Sequence, residues 1–228
     1  MHYKINFAYM ISHTEENYLK AIFKLSEKDN TSASTNAISK EMSTSAASVT
    51  DMLKRLADKD LINYEKYKGV TLTKKGNTLA TNLVRRHRLW EVFLLKQLDF
   101  SWDEVHDMAE QLEHIKSDEL IERLDRFLKH PKFDPHGDPI PDAEGNFTFR
   151  KQILLSDLKE KEKGVIVGVN EHSSSFLQYL DKHNLNLGAK LIVLEHFDYD
   201  SSKKINLNER TEYILSSKVC QNLFIQKA

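Results

Sequence analysis

The 228-residue chain has little cysteine, proline or glycine: one, four and seven residues respectively. Its single thiol, Cys220, cannot form a disulfide within the chain, as is typical of proteins from a reducing compartment. No apolar run approaches the ~18 residues that a membrane-spanning helix needs. The opening MHYKINFAYMISHTEE lacks the apolar run and small-residue cleavage site of a signal peptide. We therefore expect a soluble cytoplasmic protein with no membrane partner.

The chain also lacks an excess of charge of either sign. Its 33 lysines and arginines nearly balance 34 aspartates and glutamates. Because nucleic-acid-binding proteins are often strongly basic overall, net charge does not support that class, and any basic surface must be local. With 40% hydrophobic residues, the chain can still bury a core.

All four prolines lie in PKFDPHGDPIPDAEGNF, at positions 131, 135, 139 and 141. Proline cannot continue a helix, so the segment 131–150 is predicted to be a linker. The residues before it show helical periodicity. After it come short β-rich runs such as GVIVGV and AKLIVLEHF, which predict a small barrel. The expected fold class is mainly α with a small all-β C-terminal domain.

The first part of the chain has the element order of a winged helix-turn-helix. A capping box at Ser12–Glu15 opens the first helix, a short helix covers about 35–42, and a third follows Ser45. The run 61–73 predicts a hairpin, and a long helix follows over about 74–98. The alternative is an ordinary helical bundle with a surface hairpin. The candidate DNA-binding residues are Thr44, Ser45, Ser48, Thr50, Lys54, Lys66 and Lys68.

A stripe of imidazoles and carboxylates is predicted on the helix near residue 110. Its members are His106, Glu110, Glu113 and His114. They occupy a different arc from the apolar residues, so the stripe need not be buried. His87 and Glu91 repeat the i, i+4 pattern on the preceding helix. Imidazole nitrogen and carboxylate oxygen suit Mn²⁺, Fe²⁺, Co²⁺, Ni²⁺ or Zn²⁺. The alternative is a solvated polar face.

Motifs for metalloenzymes are missing from this region. The sequence contains no HExxH, and residues 110–113 read Glu-Gln-Leu-Glu, whereas a ferritin-like di-iron site requires Glu-x-x-His. A metal cluster directly after a DNA-binding module favours a sensor over an enzyme. Two alternatives stay open: a helical metal-binding enzyme, and a metal-independent winged-helix regulator.

Five segments together resemble one known family. They are EENYLKAIFKL (15–25), SVTDMLKRLADKDLINYEKYKGVTLTKKG (48–76), RRHRLWEVFL (85–94), VHDMAEQLEHIKSDE (105–119) and GDPIP (137–141). These residues resemble the diphtheria-toxin-repressor family of metal-dependent regulators, especially its manganese-responsive branch. The resemblance implies a winged helix-turn-helix domain (1–73), a helical metal-binding and dimerisation domain (74–130), the linker (131–150) and an SH3-like, FeoA-type domain (151–228).

The resemblance also implies two metal sites. The primary site would comprise Asn17, Glu110, Glu113 and His114, with Glu16 as an alternative ligand from the first helix. The ancillary site would comprise His87, Glu91 and His106, completed by Glu171 or His172. Lys20 stands where some manganese regulators have a glutamate that helps to hold a closely spaced metal pair. Two separated sites are therefore expected here.

Metal preference and partners follow from the same resemblance. The iron-responsive branch has a thioether and a thiol where this chain has Asn17 and Glu110, and hard oxygen donors favour Mn²⁺, with Fe²⁺ or another divalent metal as the alternative. The implied protein is a homodimer, with Trp90, Phe93 and the helix at 117–130 near its interface. It would repress metal-uptake genes by binding a palindromic double-stranded DNA operator, and would need no organic cofactor.

Overall fold

The computed structural model describes residues 11–29, 32–65 and 68–228. They fold into two compact units. The first contains the residues up to 85 together with 141–145, and the second contains 86–140 and 146–228. Within the described ranges, no helix combines the length and apolarity needed to cross a membrane.

The first unit has the predicted order of three helices, a hairpin and a long helix. Its elements are α1 (His13–Asp29), α2 (Thr35–Glu41), α3 (Ala46–Asp58), β1 (Ile62–Glu65), β2 (Gly69–Leu72) and the beginning of α4 (Lys74–Leu98). The strands pair antiparallel, with Ile62 opposite Leu72. The winged helix-turn-helix fold is confirmed.

Helix capping explains where α1 and α3 begin. The backbone N–H of Ser12 donates to Glu15 Oε2 (2.8 Å), and the N–H of Glu15 donates to Ser12 Oγ (3.2 Å), which completes the predicted capping box. Burial raises the pKa of Glu15, but Lys59 Nζ at 2.6 Å and Ser12 outweigh that effect, so the pKa is lowered. Ser45 caps α3 by accepting from the N–H of Ser48.

Close packing joins the wing to α4 in this unit. Leu19, Ile22 and Leu53 are fully buried in its core. A β-carbon at Gly76 would lie 1.9 Å from the carbonyl oxygen of Leu61, so only glycine allows the helix to approach the backbone just before β1. The N–H of Gly76 also donates to Thr73 Oγ1 (3.0 Å), which caps α4.

The helices of the second unit are shorter than the sequence predicts. α5 covers Val105–Leu112 and α6 covers Asp118–Phe127, which starts after Ser117 as expected. Glu113 is the C-cap of α5, so Glu113 and His114 lie just beyond the helix. α6 ends before the predicted position near His130, because Lys129 and His130 adopt left-handed φ values of 62° and 54°.

The C-terminal part is an antiparallel six-stranded sheet in the order β3-β8-β4-β5-β6-β7. Its elements are β3 (Ile153–Leu154), a 3₁₀ turn (Leu155–Asp157), β4 (Lys163–Val169), α7 (Ser174–Lys182), β5 (Lys190–Phe197), β6 (Ser202–Leu207), β7 (Thr211–Leu215), α8 (Ser217–Cys220) and β8 (Leu223–Lys227). β4 and β5 match the predicted β-rich runs GVIVGV and AKLIVLEHF. β3 and α8 are too short to show a periodic pattern.

The proline-rich residues 131–140, called the strap below, are ordered and largely buried within the second unit. Trp102 lies in the core cluster of the C-terminal sheet, and its Nε1 donates to the carbonyl of Pro135 (2.8 Å). The N–H of Val169 donates to the carbonyl of His136 (2.9 Å). The strap therefore packs between the helices and the sheet of this unit.

Candidate metal centre

Three predicted ancillary ligands meet where α4 faces the start of α5. His87 Nε2 lies 2.9 Å from Glu91 Oε1 and 3.2 Å from His106 Nδ1. His106 Nδ1 lies 3.3 Å from the same Glu91 oxygen. Ligand atoms bound at about 2.1 Å and at right angles to one ion lie roughly 3 Å apart. The arrangement of these atoms therefore fits a divalent metal ion.

A second group shares Glu91 and takes its other members from the strap. Asp134 and His136 are buried, and each offers an atom that lies within 4.8 Å of the others in a Glu91–Asp134–His136 cluster. His136 Nδ1 is 3.8 Å from Glu91 Oε1. The ring of His172 is centred 4.8 Å from the ring of His136.

Sequence reasoning missed Asp134 and His136, because the surrounding prolines indicated a linker. The available signal was the Asp-x-His spacing at 134–136. Glu171, the other predicted candidate for completing the ancillary site, accepts a hydrogen bond from Ser173 Oγ (2.7 Å).

Burial and charge set the protonation of these groups. Burial raises the pKa of Glu91, but the charge of His87 and hydrogen bonds from His106 and His136 lower it well below its usual value. Burial lowers the pKa of His136, but Glu91 and Asp134 raise it to about 9. Burial and the nearby charges of Glu91 and Asp138 raise the pKa of Asp134 to about 7. A metal ion that binds His136 must therefore displace a proton at neutral pH.

Within the second unit, the predicted stripe divides into an exposed and a buried half. Glu110 is exposed and His106 is partly exposed, and Glu110 Oε1 lies 3.7 Å from His106 Nε2. Glu113 is fully buried, with Oε2 2.5 Å from His87 Nδ1 and Oε1 3.8 Å from His114 Nε2. The expectation that the stripe need not be buried is thus wrong for Glu113. It is buried because it contacts His87 on α4, which helical spacing within α5 does not reveal.

Asn17 lies on α1 in the first unit. Its Oδ1 atom is buried and has no hydrogen-bond partner in the described part of the chain. A buried carbonyl oxygen without a partner costs free energy, which a donor or a cation would recover. This favours Asn17 as a ligand. The primary site of Asn17, Glu110, Glu113 and His114 stays a prediction.

The candidate DNA-binding residues lie at and after the start of α3 and on the wing. Ser45, Ser48, Lys54 and Lys68 are exposed, Thr44 and Thr50 are partly exposed, and Lys66 lies outside the described residues. Some of these side chains also serve the fold. Ser45 caps the helix, and Thr50 Oγ1 donates to the carbonyl of Ala46 (2.8 Å). Lys68 pairs with Glu65 at 2.7 Å.

Three protein-family models match almost the whole chain. They describe the N-terminal DNA-binding domain of iron-dependent repressors (10–70), their metal-binding and dimerisation domain (73–142) and the FeoA domain (153–227). The diphtheria toxin repressor of Corynebacterium diphtheriae is 34% identical over 193 residues, which cover 80% of this chain and 84% of that protein. The chain belongs to the diphtheria-toxin-repressor family.

Two solved structures are similar to this chain over almost its whole length. One, described as a manganese-dependent transcriptional repressor in complex with manganese, has a TM-score of 0.81 at 30% identity, covering 94% of this chain and 100% of the other. The manganese regulator SloR has a TM-score of 0.71 at 37% identity, covering 94% and 98%. The chain spans only 16% and 55% of the length of two other curated relatives.

Family membership makes the chain a metal-dependent transcriptional repressor, because the matched domains and the diphtheria toxin repressor define that class. It separates the chain from the enzyme alternative. The His87–Glu91–His106 cluster lies within the part that matches the metal-binding and dimerisation domain. Binding of a divalent metal therefore agrees with both the family and the geometry.

Proposed function

We propose that this protein is a manganese-dependent repressor that acts as a cytoplasmic homodimer on a palindromic operator and controls metal-uptake genes. The observation that carries the proposal is the convergence of the buried His87 and Glu91 with the partly exposed His106. The choice of Mn²⁺ is supported by ligand chemistry, because the candidate donors are imidazole nitrogens and carboxylate or amide oxygens, without sulfur. Similar structures described as manganese regulators support the same choice.

The residues of the cluster have distinct roles in this proposal. Glu91 supplies a carboxylate that stays ionised in its buried position, and His87 and His106 present ring nitrogens to the same point. His136 would have to give up its proton to serve as a ligand. A bound divalent cation would supply the positive charge that compensates the buried carboxylates.

The DNA-binding part of the proposal depends on α3 and the wing. α3 presents Ser48 and Lys54 to solvent, as a recognition helix requires. The described ranges of each chain contain one such helix, so a two-fold dimer would read an inverted repeat. Its half-sites would be about 34 Å, or a multiple of that distance, apart. Footprinting that shows a single half-site protected by a monomer would contradict this.

Operator affinity measured with and without Mn²⁺ tests the function directly. We expect Mn²⁺ to tighten binding of the parent about 100-fold, which corresponds to roughly 2.7 kcal/mol of coupling free energy. His87→Ala should lose most of this gain. His196→Ala, on β5 beside Asp198, is the matched control and should retain it. Equal affinity with and without metal in the parent would instead support a metal-independent winged-helix regulator.

A further inference from the structure

Arg88 is a buried arginine of α4 that has no assigned part in binding metal or DNA. It belongs to the RHRL motif (86–89), follows His87 directly and is 8% exposed. Its guanidinium faces the strap. Nη1 donates to the carbonyl of Pro139 at 2.5 Å, Nη2 lies 3.4 Å from Asp138 Oδ2, and Nε lies 3.5 Å from Asp134 Oδ2. All three nitrogens of one side chain therefore contact the strap.

Asp134 fixes the shape of the strap beside this arginine. Its Oδ1 accepts hydrogen bonds from the backbone N–H groups of His136 (2.8 Å) and Asp138 (2.9 Å). Its Oδ2 faces Arg88. The turn built around Oδ1 places the His136 ring between the carbonyl of Trp102, at 3.2 Å, and Glu91.

We propose that Arg88 is a positioning residue that fastens the strap to α4 and thereby holds Asp134 and His136 beside Glu91. Its planar fork presents donors in a fixed geometry that matches several acceptors at once, which a lysine ammonium does not. Removing it would take away one of the cationic neighbours of the buried Asp134 carboxylate, and removing one partner of a buried ion pair is destabilising. The consequence for metal affinity rests on the proposed function, whereas fastening of the strap does not.

Hydrogen exchange in the metal-free protein tests the fastening. In Arg88→Gln, we expect the backbone amides of His136, Asp138 and Val169 to exchange at least about tenfold faster than in the parent, because each takes part in holding the strap. Arg210→Gln, an exposed arginine in the turn between β6 and β7, is the matched control and should leave these rates unchanged. Parent-like protection of the strap in Arg88→Gln would overturn the proposal.

Metal titration tests the positioning. In a His114→Ala background, which removes one predicted primary ligand, Mn²⁺ affinity should fall about 10- to 100-fold in Arg88→Gln, as is usual when a group that orients ligands is lost. The Mn²⁺ affinity of Arg88→Lys should lie between those of Arg88→Gln and the parent. If Arg88→Gln does not fold, Arg88→Lys replaces it in this comparison. Arg210→Gln should bind as its parent does.

The two proposals fail in different ways. If the parent binds no Mn²⁺, the proposed function fails, and the exchange rates still decide whether Arg88 fastens the strap. If the parent binds Mn²⁺ and Arg88→Gln binds it equally well, the function stands and the positioning role of Arg88 is refuted. Faster exchange in the strap together with weaker binding, seen in Arg88→Gln and not in Arg210→Gln, supports both.

Discussion

α3 and the metal cluster both carry polar residues at helical spacing, yet the two regions use them in opposite environments. Ser48 and Lys54 on α3, and its N-cap Ser45, are exposed, whereas His87 and Glu91 are 5% and 2% exposed. An ion pair between exposed side chains, such as Lys54 and Asp51, contributes little to stability. In the buried cluster, interactions with neighbours outweigh the burial effect on the pKa values of Glu91 and His136. Similar spacing therefore indicates a solvent-exposed surface on α3, and a buried site with shifted pKa values in the metal cluster.

The comparison predicts its largest effect at Glu91, which both candidate metal groups share. Glu91→Ala should weaken Mn²⁺ binding by at least about 100-fold, roughly 2.7 kcal/mol, because it removes the central carboxylate donor. Isothermal titration calorimetry measures this. Glu195→Gln, an exposed carboxylate on β5, is the control. If Glu91→Ala bound Mn²⁺ as tightly as the parent, the metal site could not include Glu91.

The next effect is on the pH dependence of metal binding. The metal-free protein should keep His136 protonated below its pKa of about 9, and a metal must displace that proton. Mn²⁺ affinity should therefore rise about tenfold per pH unit between pH 7 and 9, and fall on acidification. His136→Gln should flatten this dependence. An affinity of the parent that does not change over this interval would show that His136 is not a ligand.

A smaller effect, on the free energy of unfolding, is expected at the exposed Ser45, which caps α3. Ser45→Ala removes the side-chain oxygen that accepts from Ser48 N–H at 3.1 Å, and should lower the free energy of unfolding by about 1 kcal/mol. Ser48→Ala keeps that backbone donor and should cost less. Chemical denaturation compares the two. Equal losses would mean that the Ser45 cap contributes nothing measurable.

The smallest effect is expected on the exposed face of α3. Lys54 is exposed and pairs only loosely with Asp51, at 3.4 Å. Lys54→Ala should weaken operator binding several-fold and reduce the slope of log affinity against log salt by about one, with unchanged Mn²⁺ affinity. Lys182→Ala on α7 is the control. A change in metal affinity with Lys54→Ala would break the separation between the two regions.

Local chemistry determined the elements that the sequence predicted well. Ser12–Glu15 and Ser117 mark helix starts because a cap needs only residues three apart. α4 runs over 74–98 as its periodicity indicates, and Asp99 ends it with a left-handed φ of 55°. His87 and Glu91 share a face because they are one turn apart on this helix. Helix caps and i, i+4 pairs depend only on residues close together in the chain, so they can be predicted from the sequence alone.

Only the tertiary structure decided which polar groups became buried and which segments joined the candidate site. Glu113 is enclosed because α5 ends at Leu112 and its carboxylate meets His87. Asp134 and His136 reach Glu91 because the strap packs against α4, where Arg88 holds it. Proline correctly indicated that 131–140 is not helical, but it said nothing about where that backbone would pack. Contacts between residues far apart in the chain depend on the whole packing arrangement, which short-range spacing does not encode.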